Sequence, residues 1–529
     1  MKKYFKIIII GVILIGIVFG VLFIKNNTKK NVPELKVVLG SEPNSLDPAI
    51  SLTIDVRSYL SNLYEGLVNI NEKGEIIEGA AYKWESNEEN TEYTFFIRKD
   101  AKWSDGSDLT AKDFKYSWLR VLDPNTASGW ASYLYYIKGA EAYNSGSGKK
   151  ENVAIKVIDD KTLKVTLESS CSFFTSMTAL QPYYPVKESL VSKNPEWASS
   201  VDSYISNGSF VLDSWNHDKN IVVKKNNNYW NKKKVHIDKI DFELLSDSIV
   251  VINSFESGDL DYVQNMATYD EMSQVGEVSS ADFVYTKFLA LNSKSEILKN
   301  KNIRKAISIA LDRKKLSKLM GNGINSLTSF VPYGFYNTSE NKDYTEDSNS
   351  KAYLKETAEI EKAKKLIEDS GIKDIELTYL TNNSSTNIAL AEIIKEQLSK
   401  IGIKVNIQAL EKKVFNEYRR ERKFDIVAAS WAAEYPDISS YLYGFRSEDI
   451  NNYSGFSNKE FDKLYKKVIS EDKLDKKYKY VHEAEDLVMD SYLIIPLYSE
   501  GTYYLKNDKL TNMYYDVTGC LILKYAYFK

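Results

Sequence analysis

A change of pattern near residue 285, in a chain of 529 residues, constrains the fold more than any other feature. Before it, short apolar runs alternate with turn residues and read as strands with a few short helices. After it, longer units take over. Residues 303–319 carry apolar positions at helical spacing and stop at Gly321, and residues 357–369 do the same before Gly371. Residues 375–380, 404–409 and 424–431 read as strands, with a helix at 387–399 between the first two, so helix and strand alternate as in α/β units. Two unlike lobes from one chain imply a cleft, and small ligands bind preferentially in clefts between domains.

Composition narrows the function. Hydrophobic residues make up 43% of the chain, enough for the cores of more than one domain and too many for a disordered one. The 70 basic and 73 acidic residues are interspersed, so the net charge of -3 creates no field that would recruit nucleic acid or anionic lipid. His217, His236 and His482 are the only histidines, none at metal spacing, and no nucleophile-elbow, zinc-hydrolase or phosphate-loop motif occurs. Carboxylates abound, but no spacing singles out a catalytic pair. The expectation is a binder without enzymatic activity, cofactor or metal.

The N-terminus sets the compartment. Lys2, Lys3 and Lys6 precede an uncharged apolar run over residues 7–24, which as a helix would span about 27 Å, close to a bilayer core. Val18 and Phe19 make a poor cleavage site before Gly20, so an uncleaved anchor is favoured over a secreted form. Gly16 and Gly20 have the spacing of a helix-pairing motif, which more often has no partner, and a monomer is expected. Cys171 and Cys520, the only cysteines, are read as free thiols.

The densest local pattern lies in residues 84–124. Residues 93–98 are β-rich, residues 101–106 have turn chemistry, and Thr110 with Asp113 forms a capping box for a helix on which Phe114, Trp118 and Val121 repeat before Pro124. Local physics explains this as a well-capped strand, turn and helix. In combination, however, Trp84, Trp103-Ser104-Asp105-Gly106, Leu109-Thr110-Ala111 and Leu122-Asp123-Pro124 resemble one family: the extracellular solute-binding proteins of family 5, the oligopeptide- and dipeptide-binding receptors of peptide ABC transporters. Further matches follow in family order. They are Glu42-Pro43-Asn44-Ser45-Leu46-Asp47-Pro48, Asn207-Gly208-Ser209-Phe210, Asn228-Tyr229-Trp230, Ala310-Leu311-Asp312-Arg313, and the segment from Trp431 to Pro436.

The resemblance implies an α/β, periplasmic-binding-protein-like type 2 fold, with two lobes, an extra subdomain and two hinge strands. Carried onto this sequence, lobe I is discontinuous over residues 34–64, 196–287 and 503–529, the extra subdomain covers 65–195, lobe II covers 288–502, and residues 1–30 form the anchor or signal segment. The hinges are expected near residues 287–292 and 496–504. Receptors of this family in single-membrane bacteria usually carry a lipidated cysteine after the apolar run, and this chain has none there.

The resemblance also implies a site. An apolar strand runs into an acidic, aromatic turn, and Glu434 stands where the family holds an aspartate that pairs with a peptide's α-ammonium. Ser430, Trp431 and Ala432 on one lobe, and Leu52, Thr53 and Ile54 on the other, match the segments that pair with peptide main chain. Trp431 suits either the floor of such a cleft or the core beside the sheet. Arg419 stands where some receptors bind the peptide carboxylate, and a solvated helix face explains the same charged run equally well; a second basic position falls on Ala428. The implied function is a membrane-tethered extracellular receptor that takes short peptides and delivers them to an ABC permease. The alternatives are the same fold with another cargo, such as a nickel chelate or an oligosaccharide, and a peptide-sensing signalling protein uncoupled from uptake.

Overall fold

The computed structural model describes residues 33–529 except 41, 51–53, 195, 265–268, 282–284, 322, 338, 434, 448, 450 and 517. The apolar run at 7–24 lies outside the described residues. Among the described residues, no helix is long and apolar enough to cross a membrane.

Local sequence builds the elements as their periodicity demands. In the strand Glu92–Ile97, Tyr93, Phe95 and Ile97 alternate inward. The turn that follows leads to the helix Ala111–Val121, where the Asp113 carboxylate accepts the Thr110 N–H and hydroxyl, both at 2.8 Å. Phe114, Trp118 and Val121 are buried, and the Trp118 indole N–H donates to the Tyr183 carbonyl at 2.9 Å. This helix covers a four-stranded antiparallel sheet of Ala81–Ser86, Glu92–Ile97, Thr162–Thr166 and Ile155–Asp159.

Two larger sheets carry the lobes. One has seven strands in the order Ser279–Ala281, Thr502–Lys506, Tyr262–Gln264, Glu34–Val38, Lys239–Glu243, Asn220–Lys225 and Phe210–Asn216. The other has six, in the order Ile324–Ser326, Ile494–Glu500, Tyr285–Leu291, Ile426–Ala432, Glu376–Asn382 and Lys404–Leu410. The same two chain segments join them. Ser279–Ala281 pairs with Thr502–Lys506 in the first sheet, and Tyr285–Leu291 pairs with Ile494–Glu500 in the second. One passage contains Gly501, inside the expected 496–504. Most of the other expected stretch, 287–292, lies instead within the second sheet, where Phe288–Leu291 is a fully buried run.

The helix read over 303–319 is two helices, Lys301–Ile309 and Arg313–Met320. Asp312 breaks the run by capping the second, accepting the Lys315 N–H at 2.8 Å. Arg313 is fully buried and donates to the carbonyls of Pro496 and Ser308 at 2.9 and 3.1 Å. The helices Ile360–Ser370 and Ser385–Ser399 follow the sequence reading, the first ended by Gly371 with φ of 71°. Cys171 and Cys520 are free and buried.

Candidate functional site

The strands Glu376–Asn382 and Ile426–Ala432 are parallel, so their carboxyl ends reach the same edge of the six-stranded sheet, where an open α/β sheet presents ligands. At that edge the antiparallel strand Tyr285–Leu291 sets Lys287 opposite Ser430, Tyr285 opposite Ala432 and Leu289 opposite Ala428. Side chains two apart share a face. Ala428, Ser430 and Ala432 therefore line the more open face, while Val427, Ala429 and Trp431 are buried on the other.

The open face carries polar groups. The Tyr285 hydroxyl donates to the Ser430 hydroxyl at 2.7 Å, and the Lys287 ammonium lies 3.3 Å from both the Ser430 hydroxyl and the Asn387 side-chain oxygen. Asn387 sits in the first turn of Ser385–Ser399 and is oriented by donating its amide to Asn382 at 3.0 Å. Burial pushes the pKa of Lys287 below its ordinary value; Glu500 opposes the shift and Arg419 adds to it.

Trp431 faces away from this surface. It is buried, its indole N–H donates to the Ser440 carbonyl at 2.8 Å, and its ring packs closely on Gly444 and Tyr443. It thus braces the segment after the strand. In that segment Ala433 and Tyr435 are buried, and Tyr435 stacks on Phe173 of the four-stranded unit, with centroids 4.7 Å apart and planes at 9°. Asp437 caps the short helix Ile438–Tyr441 and ion-pairs at 2.5 Å with Lys477, whose ammonium also reaches the Ser172 hydroxyl at 3.2 Å. The same contact is bridged by Asn90 donating to Asp472 at 2.7 Å and by the Ser172 N–H donating to the Ile469 carbonyl at 2.8 Å.

Cavities flank this contact. One of about 520 Å³ is lined by Tyr133, Tyr135, Tyr136, Tyr435, Tyr443 and Arg446. Another of about 430 Å³ opens beside Phe173, Asp437 and Lys477. Tyrosines supply flat walls with a polar rim, suited to a wet ligand of mixed polarity.

The sequence-selected residues divide into three groups. Ser430, Ala432 and Trp431 belong to one strand, two on the open face and one behind it. Arg419 ends the helix Lys412–Arg420 with its guanidinium over the rings of Tyr453 and Phe415, at 4.4 and 5.2 Å, and one N–H donating to Asn416. Ile54 begins the helix Ile54–Leu63, while Leu52, Thr53 and Glu434 lie outside the described residues. Sequence reasoning missed Tyr285, Lys287 and Asn387. A lysine at 287 in an otherwise apolar strand was the available signal. The 38 tyrosines announced an aromatic surplus without showing which of them would line a cavity.

The model of the bacterial extracellular solute-binding proteins, family 5 Middle, matches residues 75–453. The chain is 34% identical to the dipeptide-binding protein DppE of Bacillus subtilis (strain 168), over 92% of this chain and 90% of that protein. Among solved structures, the periplasmic murein tripeptide binding protein MppA in its unliganded open form superposes with a TM-score of 0.82 at 27% identity, covering 94% of this chain and 98% of that one. Listeria monocytogenes OppA bound to peptide superposes at 0.70 with 26% identity, covering 94% of this chain and all of that one, 100%.

Proposed function

Because this chain belongs to family 5 of the bacterial extracellular solute-binding proteins and has their two-lobed fold, we propose that it captures short peptides between its lobes and delivers them to an ABC importer. The observation that carries this reading is the small-residue face of Ala428, Ser430 and Ala432 at the lobe boundary. A peptide main chain can approach such a face closely, and recognition through backbone groups tolerates any side chain. A tyrosine-lined cavity beside Tyr435, just past the end of the strand, offers further room for ligand groups. The relatives named for dipeptide and oligopeptide binding support the same cargo.

In this reading Glu434 pairs with the peptide α-ammonium, Ser430 and Ala432 meet its main chain, Arg419 lies toward its carboxylate, Trp431 holds the loop after the strand, and Leu52, Thr53 and Ile54 close from the other lobe. Lobe I comprises residues 34–64, 196–281 and 502–529, residues 65–195 are its extra subdomain, and the intervening stretch from 285 to 500 is lobe II. The protein works as a monomer tethered by its apolar run at 7–24 to the outer face of the membrane. The better superposition on an unliganded open form than on a peptide-bound one supports an open, accepting arrangement of the lobes. Peptide then shifts the population toward closure by its differential affinity for the closed form.

The test uses residues 31–529, titrated with a mixed tri- to hexapeptide library, with retained ligands identified by mass spectrometry. Retention that falls markedly with Glu434→Ala and with N-acetylated peptides is expected. Equal retention of blocked and free peptides would sink the α-ammonium assignment. Unchanged peptide uptake in a deletion strain would favour a sensor over an importer. Alkaline extraction of membranes that releases the full-length chain would count against the tether.

A further inference from the structure

Lys287 occupies an unusual electrostatic position. Its ammonium is half-buried at the carboxyl edge of the six-stranded sheet, yet its hydrogen-bond acceptors are the neutral oxygens of Ser430 and Asn387, both at a long 3.3 Å. It forms no ion pair among the described residues. Glu500 is near enough to be felt but does not pair with it. Arg419, the other cation felt at this site, has no carboxylate partner among the described residues and is held by ring faces and an Asn416 oxygen. A cation withdrawn from water and given only neutral, stretched partners is under-satisfied.

The surroundings favour an anion. The contact with Asn387 sets the ammonium beside the first turn of the helix Ser385–Ser399, whose partial positive charge adds to that of the lysine. Ser430 and Tyr285 add hydroxyls on the same face. The register places Lys287 directly across from Ser430, within a strand spacing of the main-chain track proposed above.

We propose that Lys287, with Ser430 and Asn387, forms a carboxylate-binding subsite of the cleft. The subsite rests on the peptide-receptor reading and specifies which end or side chain of the ligand it holds. One carboxylate oxygen replaces the stretched contacts to Ser430 and Asn387 with a charge-assisted bond to the ammonium. The source of the carboxylate is either the peptide C-terminus or an acidic side chain.

Isothermal titration of residues 31–529 separates these cases, using matched peptides as free acids and C-terminal amides, and with Glu or Gln at each inner position. The wild-type chain should lose about tenfold or more in affinity when the relevant carboxylate is neutralised. Lys287→Met should bind acid and neutral forms alike, and Lys287→Arg should restore part of the discrimination. Thermal melting of each variant confirms folding. Undiminished discrimination in folded Lys287→Met would overturn the subsite while leaving the receptor reading intact. Absence of any peptide binding by the wild-type chain would overturn the receptor reading itself, and the subsite with it. Loss of discrimination for amides alone assigns the C-terminus, and loss for Gln alone assigns a side chain.

Discussion

Removing the Lys477 ammonium tests how the segment after the site strand is held. Lys477 is 4% exposed, and its partner Asp437 is 14% exposed, with the charges 2.5 Å apart. At an effective dielectric constant near 20 such a pair attracts by about 7 kcal/mol, most of which offsets the cost of taking both charges out of water. The measurable loss comes from stranding one charge. Lys477→Met fills much the same volume and leaves the Asp437 carboxylate, among the described residues, with the Ser439 N–H at 2.9 Å. Because Asp437 retains some solvent, the expected cost is about 3 kcal/mol, the low end for a broken buried pair. Urea unfolding followed by tryptophan fluorescence measures it. A double-mutant cycle with Asp437→Asn isolates the pair term, expected at about 2 kcal/mol. Single-mutant costs that add to within about 0.5 kcal/mol would refute the ion pair as the anchor of this segment. The contact with Ser172 adds a functional readout: the variant should also weaken peptide binding, since Lys477 bridges the unit carrying Phe173 and the lobe carrying Asp437.

Other consequences follow from the same geometry. Gly444→Ala would put a Cβ 2.5 Å from the Trp431 ring, so it should cost about 1–3 kcal/mol and shift tryptophan emission; unchanged emission and midpoint would contradict the packing described. Arg120 holds Asp47 through bonds of 2.9 and 2.5 Å, and Arg120→Met, which strands a buried carboxylate, should destabilise by about 3 kcal/mol in urea. Burial raises the Glu485 carboxyl to about 7 from its ordinary 4.5, against the opposing hydrogen bonds from Val331, Tyr344 and Phe330. The folded chain then holds a proton that the unfolded chain has released, so stability should fall by up to about 3 kcal/mol as pH rises through that interval. Glu485→Gln should flatten the fall, and identical pH slopes for both proteins in urea midpoints at pH 5 and 8 would show that Glu485 does not titrate there.

The sequence alone determined what depends on near neighbours. Thr110 and Asp113 are three residues apart, and their box forms as written. The alternation in 92–97, the glycine stop at 371 and the strands and helix between 376 and 410 are likewise settled by periodicity and local termini. Ordered motifs then carried the family. What failed depends on distant partners. Residues 303–319 look like one helix because nothing nearby reveals that Arg313 will seek the carbonyl of Pro496, 183 positions away. Lys287 reads as a stray charge in an apolar strand until Asn387 and Ser430, 100 and 143 positions later, arrive beside it. Trp431 suited floor or core equally, and the Ser440 carbonyl together with the close approach of Gly444 decided for the core. Hydrogen bonding and periodicity within a turn are encoded by adjacent residues, whereas the burial of a charge or a ring is fixed only when separate elements pack and exclude water.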